Sequence, residues 1–377
     1  MKVTIIKDNF KKGLTIIEKI TGKNFSLPIL NNILIKAEKN ILTLSGTDLE
    51  IGINYWSLLK VEKEGQISVP AKTLSNLINF SPDEKINLET KENILFISGE
   101  KYKAQINCLS ADDYPIIPKI KNENNYLEIN GQSLLKGILK VINFCNIGQT
   151  YPELSGVYFN FSDKQLDLVS TDSFRLAKQI LYFENKIDKN YSFILPQKAV
   201  RELVNIISEN GGDNNKVRIY FEVNQIFFEF YSEGFSFPQF RLSSRLIEGE
   251  YPNYQEIIPS NYKTQIIADK SEFLNLLKSA SLFSGKTNKL KVEIDPKNKN
   301  ISLFAQNSDT GEIKISLPSE VKGEKQEVSF NVKFLSDGLS NIEGKKVFFE
   351  LNGEEGPAIL RSDEDQEYVY ILMPIKG

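Results

Sequence analysis

Apolar residues recur at helical spacing in three segments of the chain, 9–20, 133–144 and 271–283. In each segment they fall three or four residues apart, the period that places side chains on one face of a helix. The first segment follows Asp8 and the third follows Asp269, and both residues can cap a helix. The residues expected to face a core are Phe10, Leu14 and Ile17, then Leu135, Ile138, Leu139 and Ile142, then Phe273, Leu277 and Ala280.

Each helical segment is followed by two strand-like runs around a turn. The first two of these hairpins end in the same polar pair, Thr47-Asp48 and Thr171-Asp172, and the pairs stand 124 positions apart. The third hairpin ends in a different sequence. The runs are 33–35 with 42–48, 157–161 with 166–172, and 292–294 with 301–304. A repeat of about 125 to 140 residues has the size of a domain and not of a solenoid unit.

A second helical segment follows each hairpin and carries a lysine at the same place in all three copies, Lys72, Lys198 and Lys333. Proline stands at the start of the first two, where a missing amide hydrogen has no cost. A further hairpin closes each unit. The pattern predicts an α+β protein of three repeated domains, each with two helices packed on antiparallel sheet. The predicted domains are 1–125, 126–255 and 256–377.

The composition is that of a folded globular chain. Of 377 residues, 41% are apolar and 25% are charged, which is enough for two or three separate cores. No run approaches the ~20 consecutive apolar residues of a membrane span. The start of the chain lacks the apolar segment of a secretory signal, so we expect a cytoplasmic location and no membrane partner.

Residues for catalysis and metal binding are scarce. The chain has no histidine, which removes the commonest general base, the usual triads and most transition-metal sites. Its two cysteines, Cys108 and Cys145, lie far apart without a ligand spacing and are expected to be buried thiols. No glycine-rich phosphate loop is present. Carboxylate pairs such as Asp112-Asp113 stand in turn-like sequences, typical of solvated loops. We therefore expect no catalytic residue, no metal and no cofactor.

Positive charge is concentrated in the helical segments, although the chain as a whole is slightly acidic. The net charge is −3 and the sequence pI is near 5.5. The helical segments contain 13 Lys or Arg against 4 Asp or Glu. These segments are 9–23, 70–81, 131–145, 196–208, 270–286 and 330–342. Helices often display lysines for solubility alone, but the repeated lysine favours a shared surface that holds a polyanion through phosphate contacts.

Five short segments are the most distinctive in the chain. They are 26–30 (SLPIL), 46–50 (GTDLE), 171–177 (TDSFRLA), 248–254 (EGEYPNY) and 371–375 (ILMPI). Together they resemble the bacterial sliding clamp family, the beta subunit of the replicative DNA polymerase, and the resemblance covers the whole chain. It implies a head-to-tail ring of two subunits with six domains, helices lining the hole and sheets outside. Such a ring encircles duplex DNA, whatever its sequence, and tethers a polymerase without catalysis of its own.

The resemblance also implies three sets of contact residues. Short peptides from the polymerase, the clamp loader and repair proteins would dock in an apolar cleft between the second and third domains. The cleft residues would be Leu154, Thr171, Ser173, Phe174, Arg175, Leu176, Pro252, Ile257, Ile371, Leu372, Met373, Pro374 and Ile375. The DNA-facing residues would be Lys23, Lys72, Gln149 and Lys198. In a homodimer, Ile106 would contact Leu282 and Phe283 of the partner subunit.

Single residues of these sets have plainer interpretations. An aliphatic residue of the cleft taken alone is typical of core packing, and a single lysine is typical of an ordinary surface. Phe174 departs from the family, in which histidine commonly precedes the arginine, and the ending Lys376-Gly377 differs from some members.

Two other classes of protein stay open at this point. A nucleotide-processing enzyme built from duplicated domains would need a convergent acid–base set that the chain does not supply. A structural repeat protein with only protein partners would explain the repeats, but neither the repeated lysine nor the five segments of resemblance.

Overall fold

The computed structural model describes residues 1–22, 26–148, 150–183, 187, 189–210, 215–232 and 234–376. Within these residues the chain forms six α-helices and 26 strands. The helices are α1 Lys7–Ile20, α2 Ala71–Phe80, α3 Gly131–Val141, α4 Gln197–Asn210, α5 Lys270–Ser281 and α6 Val332–Asn341. The strands are β1 Lys2–Ile6, β2 Asn32–Glu38, β3 Ile41–Thr47, β4 Ile51–Leu58, β5 Lys60–Lys63, β6 Gly65–Pro70, β7 Lys85–Lys91, β8 Ile94–Ser98, β9 Lys103–Asn107, β10 Leu127–Asn130, β11 Gly156–Ser162, β12 Gln165–Thr171, β13 Arg175–Tyr182, β14 Tyr191–Pro196, β15 Lys216–Phe221, β16 Gln225–Tyr231, β17 Phe240–Arg245, β18 Thr264–Asp269, β19 Lys289–Asp295, β20 Asn300–Asn307, β21 Gly311–Pro318, β22 Glu320–Gly323, β23 Gln326–Asn331, β24 Lys346–Leu351, β25 Ala358–Arg361 and β26 Tyr368–Leu372.

The predicted order of elements recurs three times. Each repeat has a first helix, a set of strands, a second helix and closing strands, and the six helices lie within about three residues of the predicted segments at their starts. The predicted domain limits near residues 125 and 255 stay predictions. By density of contacts the chain forms two compact units, Met1–Lys136 with Lys198–Leu246, and Gly137–Gln197 with Ile247–Gly377.

Each unit contains two antiparallel sheets. In the first unit the strand orders are β5-β1-β7-β8-β9 and β10-β15-β16-β17-β4-β3-β2-β6. In the second unit they are β14-β11-β12-β13-β26-β25-β24-β18-β22 and β21-β20-β19-β23. The helix-facing side of these sheets carries the buried aliphatic and aromatic residues of each core, because side chains alternate between the two faces of a strand.

Two strand pairings join consecutive repeats. β4 of the first repeat pairs with β17, the last strand of the second, and Ile53 lies opposite Leu242. β13 of the second repeat pairs with β26, the last strand of the third, and Ala177 lies opposite Tyr370. The remaining counterparts, β21 and β9, both lie at edges of the described sheets. These two edges therefore offer backbone groups for pairing with another chain.

Of the two helix caps predicted from the sequence, one is confirmed and one is wrong. Asp269 accepts a hydrogen bond from the Glu272 N–H at 2.8 Å, so the predicted cap of α5 is confirmed. Asp8 does not cap α1. The helix begins at Lys7, and Ile6 occupies the cap position without a side-chain bond. Because β1 runs directly into α1, Asp8 lies in the first turn, where its negative charge suits the helix dipole.

Of the four residues predicted for the buried face of the helical segment 133–144, Ile138 and Ile142 are buried, whereas the prediction is wrong for Leu135 and Leu139. Leu139 is 48% exposed and Leu135 is half-buried. A Cβ at Gly137 would come within 2.9 Å of Leu168, so the helix approaches the sheet along the face that contains this glycine. That approach turns Leu139 outward. The residues buried on α3 are Leu134, Ile138 and Val141. The predicted faces of α1 and α5 are confirmed, with Phe10, Leu14, Ile17, Phe273, Leu277 and Ala280 all buried.

The chemistry expected of the cysteines is confirmed. Cys108 and Cys145 are both free and buried. Burial raises the pKa of the Cys108 thiol to about 11. In the described ranges, no group of three or more acidic or cysteine side chains is arranged to hold a metal ion. None of the described helices combines the length and the apolar character that a membrane crossing requires.

Candidate functional site

An apolar cluster lies where β12, β13 and β26 meet the segment 251–258. Leu176 pairs directly with Ile371 across β13 and β26, so the strands of two repeats form one continuous surface. The buried members of the cluster are Val169, Leu176, Tyr254 and Ile371. Half-buried Tyr158, Tyr251, Ile258 and Val369 pack around them. This cluster is the floor of the candidate cleft.

Apolar side chains that reach solvent surround the floor. Phe174 is 62% exposed and Ile257 is 41% exposed. The Met373 N–H donates to the Phe174 carbonyl oxygen at 2.9 Å. The Ile375 N–H donates to the Ser329 carbonyl oxygen at 2.8 Å. The last apolar residues are thus held against the sheet by backbone bonds. Those that stay half-buried are Met373, Pro374 and Ile375.

The predicted cleft residues fall into three groups by exposure. Ser173 and Pro252 are exposed, like Phe174 and Ile257, and can be reached from solvent. Five more are at most 8% exposed and support the cleft from beneath, while Arg175 and the last apolar residues of the chain lie between these two groups in exposure. The five interior residues are Leu154, Thr171, Leu176, Ile371 and Leu372. A ligand would therefore contact the rim directly, whereas the interior residues set its shape.

The turn 171–176 explains why Phe174 points to solvent. Thr171 Oγ1 accepts a hydrogen bond from the Ser173 N–H at 3.1 Å. Asp172 Oδ1 accepts from the N–H groups of Phe174 and Arg175 at 3.1 and 3.0 Å. These bonds hold Ser173 at a φ of 76°, a left-handed conformation that a non-glycine residue adopts only when its surroundings enforce it. The polar pair Thr171-Asp172, which recurs in the sequence, thus stabilises the turn through these hydrogen bonds.

Arg175 is enclosed at one end of the cleft. Its Nε lies 2.8 Å from Asp172 Oδ2, and its Nη1 lies 2.6 Å from Asp337 Oδ2 on α6. The guanidinium carbon lies 4.1 Å from the ring centre of Phe334 and 5.0 Å from that of Phe144. The guanidinium therefore connects strand β13 to α6 through the Asp337 carboxylate and the Phe334 ring.

The charge of Arg175 is satisfied inside the protomer. Its side chain is only 13% exposed. Burial by itself lowers the pKa of the guanidinium, but Tyr370, Asp337 and Asp172 raise it by more, so the group stays charged. We conclude that Arg175 fixes the wall of the cleft and has little capacity left for a ligand.

Several residues of the cleft were not predicted from the sequence. Phe334 and Asp337 follow the repeated lysine of α6, and no local pattern connects them with residues near 175. Tyr251 and Tyr254 stood inside the segment 248–254, so a signal was present. The Tyr254 hydroxyl donates to Asp167 Oδ2 at 2.7 Å, and burial together with this carboxylate raises the pKa of Tyr254.

The repeated lysines lie in the first turns of the second helices. Lys72, Lys198 and Lys333 are all exposed at these positions of α2, α4 and α6. Lys198 forms an ion pair with Asp48, so its charge is partly neutralised in the protomer. The other two predicted DNA-facing residues, Lys23 and Gln149, lie outside the described residues.

Other helical lysines are engaged inside the protein. Lys12 donates to Asn210 Oδ1 at 3.1 Å, and burial lowers the pKa of its ammonium group. Lys140 pairs with Asp365 at 3.0 Å, and both side chains are nearly buried. Lys270 donates to a backbone carbonyl oxygen at 2.6 Å. The positive excess counted in the helices is therefore only partly available to an external polyanion.

The residues predicted for the subunit contact differ in exposure. Ile106 lies on the edge strand β9 and is 7% exposed. Leu282 follows α5 and is 71% exposed, a large apolar side chain in water. Phe283 is half-buried. The contact itself stays a prediction.

Sequence profiles of the DNA polymerase III beta subunit match the chain in three consecutive parts. The N-terminal domain matches residues 1–118, the central domain residues 128–253 and the C-terminal domain residues 255–376. A beta sliding clamp of Staphylococcus epidermidis is 28% identical and aligns with 100% of this chain and 99% of its own.

Solved structures give the same result. The DNA polymerase sliding clamp from Bacillus subtilis has a TM-score of 0.92 at 26% identity, covering 100% of this chain and 99% of that one. A sliding clamp from Bartonella birtlesii, bound to griselimycin, has a TM-score of 0.91 at 26% identity and covers 100% of both chains.

The threefold repeat of sheets with paired helices defines a three-domain clamp fold, and the predicted α+β class is confirmed. The chain belongs to the DNA polymerase III beta subunit family. It is a processivity factor of DNA replication and not an enzyme, as the sequence predicted.

Proposed function

We propose that two copies of this chain close head to tail into a ring around duplex DNA. The observation that carries this proposal is the pair of sheet edges β9 and β21. Both internal junctions pair the same strand of one repeat with the last strand of the next. The same pairing between β21 and the β9 strand of a second copy uses both edges and closes six domains with twofold symmetry.

The internal junctions also define a register for this contact. Equivalent positions are found by following the paired residues across each sheet, starting at the residue before the second helix of each repeat. On this count, Ile313 in the third repeat corresponds to Ile53 in the first and Ala177 in the second. A count that starts at the residue before the first helix of each repeat makes Ala104 the counterpart of Leu242 and Tyr370. Ile313 is therefore expected opposite the partner's Ala104.

The ring would hold DNA by enclosure and not by strong contact. Exposed lysines at the starts of the second helices attract phosphates without reading bases, while the acidic remainder of the chain disfavours binding from outside. We infer a cytoplasmic location from kinship with bacterial sliding clamps. The test is loading onto nicked circular DNA by a clamp loader. The protein should stay bound to the circle and be lost when the circle is cut open.

The cleft on β13 and β26 is proposed to bind short peptides of the replicative polymerase, the clamp loader and repair proteins. Phe174, Ile257 and Met373 offer apolar surface above a closed apolar floor. Burying two apolar anchor side chains contributes roughly 3–6 kcal/mol before ordering costs, which suits micromolar binding. Anisotropy of a labelled peptide with glutamine, leucine and phenylalanine anchors tests this proposal. Binding that is unchanged by alterations of the cleft would refute it.

A further inference from the structure

In the first repeat, the segment after the last strand covers the sheet face that is turned away from the helices. Leu109 and Ser68 exchange backbone hydrogen bonds at the edge strand β6. Tyr114 follows and is 7% exposed. Its hydroxyl lies 3.2 Å from the Asn32 carbonyl oxygen and 3.1 Å from that of Ser45, to which it donates. The aromatic ring thereby closes the outward face of β2 and β3.

The second repeat uses the same arrangement. The Ile247 N–H donates to the Ile194 carbonyl oxygen at 3.0 Å on the edge strand β14. Tyr251 then stacks on Tyr158 of β11, with 4.6 Å between ring centres and 6° between ring planes. In both repeats the covering tyrosine is followed by proline. In two repeats of the same chain, a segment with an aromatic residue followed by proline therefore covers this face of the sheet.

The third repeat has the same start, but its outward face is open. Ile375 binds Ser329 on the edge strand β23, as Leu109 binds Ser68 and Ile247 binds Ile194. Beyond it lies a groove of about 610 Å³. Its lining includes Lys289, Lys291, Phe304, Gln306, Ser329 and Ile375.

The lining of the groove is mostly polar and charged, and the surface it offers to a ring comes mainly from Phe304 and the stem of Lys291. Tyr158, on which Tyr251 stacks, lies opposite Ile194 on the edge strand, and Lys291 lies opposite Ser329 on the corresponding edge strand. Lys291 is therefore the counterpart of Tyr158. Its ammonium group is held by Glu327 at 2.6 Å and by Glu293 at 3.2 Å, which leaves its methylene groups for apolar contact. Phe304 on the neighbouring strand is half-buried and adds an aromatic surface.

We propose that this groove binds an extended segment of a partner protein in which an aromatic residue is followed by proline. The aromatic ring packs on Phe304 and the stem of Lys291, and the proline keeps the segment extended, as in the two covered repeats. The volume of the groove is within the range of ligand-binding sites. The proposal is independent of what the cleft on β13 and β26 binds.

The test uses a labelled peptide with the sequence of residues 247–256, IEGEYPNYQE, added to the full-length protein. Its binding is measured by fluorescence anisotropy. Phe304→Ala should weaken binding at least about fivefold, and so should alanine in place of the peptide's first tyrosine. Ser302→Ala, on the outward face of the same strand, is the matched control and should change affinity less than about twofold. Gln306→Trp fills the groove at an exposed position and should abolish binding even if Phe304→Ala fails to fold.

A second peptide, with the glutamine, leucine and phenylalanine anchors, separates this proposal from that of the cleft. It should not displace the labelled peptide. Displacement without sensitivity to Phe304→Ala would assign the labelled peptide to the cleft and overturn the proposal. Failure of the labelled peptide to bind, while the anchor peptide binds, would overturn the groove and leave the cleft intact. Association of the protein beyond a dimer that Gln306→Trp abolishes would make a second copy the occupant and also overturn it.

Discussion

Arg175 Nη1 lies 2.6 Å from Asp337 Oδ2, a contact between the second and third repeats across 162 positions of sequence. The same guanidinium binds Asp172, which forms the turn that presents Phe174. One side chain thus couples the wall of the cleft to its exposed rim. A change at Arg175 should therefore alter both stability and ligand binding.

We expect Arg175→Met to lower the free energy of unfolding by about 1–3 kcal/mol, because two carboxylates lose their shared cation. Asp337→Asn should cost less than about 1 kcal/mol, since the Asp337 side chain is 54% exposed. Urea denaturation of both variants measures these differences. Equal losses in the two variants would show that Arg175 is not the central member of the group.

Removal of residues 373–377 should weaken peptide binding at least about tenfold while the fold and the dimer survive. The deletion takes away one wall of the cleft, but the buried strand β26 ends at Leu372 and stays. Anisotropy with the anchor peptide and thermal melting of the same preparation test the two halves of this expectation. Undiminished binding by the shortened protein would remove the cleft assignment.

Phe174→His should change peptide affinity by less than about 1.5 kcal/mol. The side chain is 62% exposed and stands at the rim, and its position is set by backbone bonds of the turn that the substitution leaves in place. Calorimetry with one client peptide on both proteins gives the difference. Complete loss of binding would make Phe174 an anchor and not a rim residue.

Local patterns predicted the helices and hairpins because their period is a property of neighbouring residues. The predicted buried face of α3 was wrong in part because Leu134 and Leu135 are adjacent and either residue fits an apolar stripe. Phe10 stands 124 positions before Leu134, so the repeat itself held the correct answer. The Arg175–Asp337 pair had no such signal, because residues so distant in sequence meet only in the folded chain.

Glu202 makes a prediction about pH. The residue is 7% exposed, and burial raises its pKa, although Asn205, Lys19 and Lys198 act in the opposite direction. With a native pKa above the unfolded value, the native state binds more protons between the two values. The free energy of unfolding therefore falls as pH rises through the native pKa.

Glu202→Gln should accordingly be more stable than wild type at about pH 7, and the advantage should disappear towards about pH 4. Urea denaturation at several pH values measures it. Glu209→Gln, at an exposed position of the same helix, is the control and should show no such trend. A variant less stable than wild type at neutral pH would mean that the charge of Glu202 stabilises the fold through Lys19 and Lys198.

The proposed closure of the ring makes the most specific prediction, since it names a register. A chain carrying both Ala104→Cys and Ile313→Cys should form a covalent dimer under mild oxidation, because Ile313 would lie opposite the partner's Ala104. Gln105→Cys with Ile313→Cys should cross-link far less, because neighbouring residues on a strand point to opposite faces. Denaturing electrophoresis without reductant separates the products. The native thiols Cys108 and Cys145 are buried in the protomer and should not contribute.

The same contact can be broken without altering the fold. Glutamate at both Leu282 and Phe283 should give a folded monomer, because charge would replace an apolar side chain that is 71% exposed in the protomer. In the Ala104→Cys, Ile313→Cys background these substitutions should also abolish cross-linking, as sedimentation and electrophoresis would show. If dimers persist with efficient cross-linking, the register stands and Leu282 and Phe283 lie outside the contact. If dimers persist and only the chain with Gln105→Cys and Ile313→Cys cross-links, the strands pair one residue away from the predicted register. That register is the one in which Ile53 lies opposite Leu242 and Ala177 opposite Tyr370.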